Sequence, residues 1–141
     1  MLQHGKAMLR SAAGLTLEQS AASPQIVFVP SPINAPHVLD MDADCSLMGW
    51  LGREGLSSAL VDWGTTAPAH RDHDLDHLAT RLLLPMLQAI GRPVHLVGYC
   101  LGGMIAMAVA CHFPVRSLTL IATPWHFSGY PAKRREELTA M

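Results

Sequence analysis

"HLVGYCLGGM", residues His95 to Met104, carries an apolar strand-like run into a cysteine set between glycines and then out into an alanine-rich segment. Pro93–Tyr99 reads as a buried strand, and Leu101 to about His112 as a helix. A strand that enters a helix through a single residue forces that residue into a strained backbone conformation and lifts its side chain above the sheet. Gly98 and Gly102 lie two positions before and two after Cys100, where they remove the Cβ atoms that would collide at such a bend, and Gly103 adds room. The pattern predicts Cys100 as a nucleophile raised on a sharp turn. The plainer alternative is a small buried cysteine beside glycines that serve packing only.

On the first reading the chemistry is explicit. A helix beginning at Cys100 aims its free N–H groups and positive dipole end at the sulfur, favouring thiolate over thiol. The amide of Leu101 would face the oxyanion formed on an attacked carbonyl. A second donor belongs to the loop after the first strand. Pro32 has no N–H, so Ile33 is the candidate and Asn34 the reserve.

Working outward, "QIVFVP" (Gln25–Pro30) is a short β-branched run ending at proline, as a buried strand does. Leu47, Trp50 and Leu51 then show helical spacing, with Asp42 or Asp44 as N-cap and Gly55 as stop. Ser58–Trp63 reads as a second strand, and Asp74–Ile90 as a helix that Pro85 should kink or break near Arg81 to Leu84. "VRSLTLIATP" (Val115–Pro124) is a fourth strand. The order β-α-β-α-β-α-β predicts an α/β fold: a parallel, doubly wound sheet of about four strands with helices on both faces. Residues 25–130 form this core. Residues 1–24 are expected as a loosely structured lead-in or edge hairpin, and 131–141 as a surface segment in which "KRREEL" makes a mixed-charge helix.

Ligands of such a sheet bind beyond the carboxyl ends of its strands. Those ends present Ile33, Asn34, Asp62, Trp63, Cys100, Trp125 and His126. Asn34, Asp62, Trp63, Trp125 and His126 are therefore candidate pocket residues. For the two tryptophans a core position is the ordinary assignment, and for Asp62 a loop cap.

Bulk properties bound the partners. The 141 residues suffice for one domain with a sizeable core, since half are apolar. A net charge of −1 with 15% charged residues leaves no field for nucleic acid or anionic lipid. The three cysteines, Cys45, Cys100 and Cys111, show no zinc or redox pairing. They suit free thiols in a cytoplasmic setting, with Cys45 and Cys111 as packing residues. The start lacks an unbroken apolar signal region. Val94–Phe113 is long and uncharged, yet His95, His112 and the internal glycines favour a strand and a helix over a membrane span. "HDLDH" (His73–His77) imitates a zinc-protease motif without its glutamate, so a solvated helix start is expected there and no metal. His95 and His112 read as packing or capping residues.

Beyond these features, "VPSPINAPHVLDM", "LVDWG", "HDLDHL", "LVGYCLGG" and "LIATPWHF" resemble the poly(3-hydroxyalkanoate) synthase family of the α/β-hydrolase superfamily, in the family's order over Ile26–Phe127. The resemblance implies a cysteine acyltransferase in which Cys100 takes a 3-hydroxyacyl group from a coenzyme A thioester, the substrate, with no cofactor. It also implies association as a homo-oligomer or with a polyester granule surface. A cysteine-elbow hydrolase of esters or thioesters is the nearest alternative, and a non-catalytic relative another. In the family an Asp and a His after later strands assist the cysteine. No counterparts are recognised here, so an incomplete, truncated domain is expected, and His126 stands where the family usually has Asp.

Overall fold

The computed structural model describes residues 2–11, 25–42, 44–65 and 73–139. Its sheet contains six strands: β1 (Leu2–His4), β2 (Ala7–Ser11), β3 (Gln25–Val29), β4 (Ser57–Asp62), β5 (Val94–Tyr99) and β6 (Val115–Ile121), in the spatial order β1-β2-β4-β3-β5-β6. The four expected parallel strands lie side by side, β4-β3-β5-β6, and run out to one edge. The sheet is nevertheless mixed. β1 and β2 form a hairpin that adds to β4 antiparallel, with Met8 opposite Asp62 and Ser11 opposite Ala59. Residues 12–24, the rest of the expected lead-in, lie outside the described residues.

Helices cover both faces because the strands alternate. On one face α1 (Leu47–Arg53) sets Met48 and Leu51 on Phe28 and Leu60. On the other, Ala7, Leu9, Val27, Val29, Val61, Val94 and Leu96 meet a larger apolar group. It comes from a helix running through His77–Leu83 and α2 (Leu84–Ile90), and from α3 (Leu101–Ala110). Burying a leucine such as Leu83 or Leu96, both fully enclosed, contributes about 2 kcal/mol.

One local expectation is corrected and a second made specific. The N-cap of α1 is Ser46, whose side chain accepts from the Gly49 amide at 2.7 Å, rather than Asp42 or Asp44. Asp42 instead accepts the amides of Asp44 and Cys45, closing a turn ahead of the helix. The second concerns Pro85: the disturbance expected near Arg81 to Leu84 is present as a change of winding between Leu83 and Leu84. Residues His77–Leu83 wind as a π-helix, with the Leu84 amide reaching back to Ala79, and Pro85 falls in the first turn of α2. The wider turn spares the proline ring its collision with the carbonyl four residues earlier.

The uncharged run Val94–Phe113 divides into β5 and α3, and among the described residues no helix is long and apolar enough to cross a membrane. α4 (Ala132–Thr139) carries the mixed-charge segment, with an Arg134–Glu137 pair on its exposed surface.

Candidate active site

Cys100 is the single residue between β5 and α3, and its backbone takes φ 53°, ψ −129°. A side chain at such angles costs on the order of 1–3 kcal/mol and survives only where the surroundings enforce it. Here they do. The Cys100 amide donates to the Ile121 carbonyl at 2.9 Å, and the Cys100 carbonyl accepts from Gly103 at 2.9 Å. A Cβ on Gly102 would strike the carbonyl oxygens of Val29 and Pro30, and one on Gly98 the backbone of Gly103. Both glycines thus let β3, β5 and α3 close on one another at the bend. The space beside Gly103 is not empty: the Thr123 side chain fills it, and among the described residues its buried hydroxyl has no hydrogen-bond partner.

The sulfur-bearing residue is partly exposed. Leu101 provides the first amide of α3, a position with no acceptor within the helix. In the loop after β3, Ile33 is three-quarters exposed, and its amide donates to the buried Ser31 hydroxyl over a long 3.3 Å. An oxyanion would have to take over that weak bond. A cavity of about 420 Å³ opens beside the elbow, with Ile33 and Leu101 in its wall together with Trp63, Lys6 and His73.

The remaining candidates separate. Trp63 is buried and donates its indole N–H to the Pro30 carbonyl at 2.9 Å, so it both lines the cavity and ties the end of β4 to that of β3. Asp62 accepts the Gly64 amide at 2.8 Å and pairs with Arg10 of β2, a cap and a strand clamp. Trp125 is 73% exposed, which overturns its core assignment: it follows β6, the outer strand of the sheet. His126 is exposed and hydrogen-bonds Ser128 at 3.1 Å. Asn34 is exposed in the loop, and none of Asn34, Asp62, Cys100, Trp125 and His126 is among the residues that line the cavity.

Cys45 and Cys111 are also exposed, against their expected packing role; each sits at the margin of a short element, beyond the reach of the core. The His73 and His77 rings stack at 3.7 Å while Asp74 caps the helix by accepting the His77 amide. His95 bonds Ser117 on the neighbouring strand at 2.8 Å. Among the described residues no hydrogen bond joins the Cys100 sulfur to a histidine or a carboxylate.

Sequence reasoning missed Lys6 and His73 as cavity residues, and Thr123 at the elbow. Only Lys6 had a signal: Gly5-Lys6 between apolar alternations is the sequence of a two-residue hairpin turn.

A nucleophile-type bend at the carboxyl edge of a parallel sheet defines a class, and comparison with known proteins agrees. Residues 26–140 match the model of the alpha/beta hydrolase family, and the chain belongs to that family. Over its central portion it is related to poly(3-hydroxyalkanoate) polymerases. It is 33% identical to the polymerase subunit PhaC of Haloferax mediterranei over 69% of this chain and 21% of that one. With the polymerase of Methylorubrum extorquens the identity is 26%, over 73% and 19%. The chain thus spans about a fifth of the length of these curated relatives. A lipase of Bacillus licheniformis shares the fold, with a TM-score of 0.62 at 22% identity over 93% of this chain and 56% of the other.

Proposed function

We propose that this chain is the nucleophile-bearing portion of a thiol-dependent acyltransferase of the polyester-forming kind, with Cys100 as the acyl acceptor and a 3-hydroxyacyl coenzyme A thioester as donor. The observation that carries the reading is the strained backbone of Cys100 between β5 and α3, next to Leu101, which lines a cavity. Ala122 also holds a positive φ, 50°, so it is the strain together with the position between strand and helix that distinguishes Cys100.

In the first half-reaction the Cys100 thiolate attacks the thioester carbonyl. The negative charge moves to the carbonyl oxygen, where the Leu101 amide and a donor from the Ile33 loop stabilise it. Collapse expels the coenzyme A thiolate and leaves an acyl group on Cys100. Exchange between two thioesters is nearly isoenergetic, so the acyl group keeps its reactivity for attack by a hydroxyl. That second step needs a base to take the hydroxyl proton. With water as acceptor the same acyl-enzyme gives a hydrolase.

Incubation with 3-hydroxybutyryl-coenzyme A followed by intact-mass analysis tests the reading. An acyl adduct should form, disappear in Cys100→Ala, and persist when the exposed Cys45 and Cys111 are replaced by serine. Folded protein that takes up no acyl group, or an adduct that maps to Cys45 or Cys111, would sink it. Product analysis then separates the acceptors: ester oligomer for the transferase, free hydroxy acid for the hydrolase.

A further inference from the structure

The N-terminal hairpin brings a cation to the candidate site. Lys6 is the second residue of the two-residue turn between β1 and β2, after Gly5 at φ 57°. Because β2 runs antiparallel to β4 with Met8 opposite Asp62, this turn lies just past the carboxyl end of β4, on the edge where Cys100 stands. Its backbone is held there. Gly64, at φ 71°, approaches so closely that a Cβ would strike the Lys6 carbonyl oxygen, while Gly5 rests against Leu82. The ion pair between Arg10 and Asp62 clamps the same pair of strands.

Lys6 is half-buried and lines the cavity that Ile33 and Leu101 also line. Among the described residues no carboxylate forms an ion pair with it. Asp74, the acidic residue of that wall, caps the helix through the His77 amide and adds a negative charge to the same cavity. A lysine in the wall of a small-molecule cavity can offer its ammonium group to a negative group of a ligand.

We propose that Lys6 is a specificity-determining residue that binds an anionic group of the acyl donor, the phosphate-bearing arm of a coenzyme A thioester. This rests on the reading of Cys100 as the acyl acceptor, because that reading sets which end of the donor faces the elbow. A phosphate can take one or more of the three N–H donors of Lys6 in charge-assisted bonds.

The test compares coenzyme A with pantetheine, which keeps the thiol arm but has no phosphate, by calorimetric titration of the whole chain. Wild type should prefer coenzyme A. Lys6→Met and Lys6→Gln leave the backbone packing on Gly64 intact, and each should lower the coenzyme A to pantetheine affinity ratio by roughly tenfold. Lys6→Arg should hold most of the ratio, and raised salt should erode the wild-type preference. An unchanged ratio in Lys6→Met, equal losses for both ligands, or a wild type without preference overturns the proposal. Uptake of acyl groups by wild-type Cys100 from p-nitrophenyl butyrate, which has no phosphate, separates the two readings. Failure there counts against Cys100 and not against Lys6.

Discussion

At Cys100 two demands meet in one residue: the sulfur must stand clear of the sheet, and the backbone must hold angles that a side chain resists. Glycine adopts those angles without strain, so Cys100→Gly should raise stability by about 1 kcal/mol while abolishing acyl uptake. Cys100→Ala should abolish uptake with little change in stability. Urea unfolding of the three proteins checks both statements, and an unstrained elbow would appear as a Cys100→Gly variant no more stable than wild type. Gly102→Ala works the other way. Its added methyl meets the carbonyl oxygens of Val29 and Pro30, which are backbone atoms and cannot swing aside, so a loss of about 3 kcal/mol is expected in the same measurement. The spacing of Gly98, Cys100 and Gly102 was readable because the bend is local. The exposure of Cys45, Cys111 and Trp125 was not. Residue type supplies only an average tendency to be inside, and which helix covers a given position is settled by distant parts of the chain.

Among the elements, α1 tests how finely a helix start can be read. Aspartates at 42 and 44 and a serine at 46 all suit the N-cap, and propensity ranks them together. The structure assigns the cap to Ser46, whose hydroxyl bonds both the Gly49 amide and the Asp40 carboxylate. Ser46→Ala should therefore cost about 1 kcal/mol, and Asp44→Ala less than about 0.5 kcal/mol, by chemical denaturation. Equal costs would return the cap to the aspartates. The helix before Pro85 teaches a similar lesson. A proline inside an apolar helical pattern signals a disturbance, but Leu78, Leu82 and Leu83 satisfy the core whether the turn winds as α or π. The choice depends on how that face meets β1 and α3, which the spacing does not contain.

At the scale of the whole sheet, β1 and β6 are the two outer strands. β6 hydrogen-bonds to β5 on one side, and among the described residues no strand occupies the other. Leu120, Ile121, Trp125 and Tyr130 lie exposed on or near it. An apolar strand edge of this kind pairs with other chains. Concentration-dependent association is expected in sedimentation velocity, and Leu120→Lys should weaken it roughly tenfold, since a charge on the edge disfavours pairing. Association unchanged by the lysine would place the contact elsewhere.

The parallel core, its strand order along the chain and the bend at Cys100 were determined by the sequence alone, because alternation, β-branching and glycine spacing act over a few residues. Tertiary structure decided that residues 2–11 pair with β4 and that Lys6 consequently reaches the cavity. Each of these joins segments far apart in the chain. Such contacts depend on which surfaces remain unburied once the local elements exist, and no short stretch of sequence specifies that.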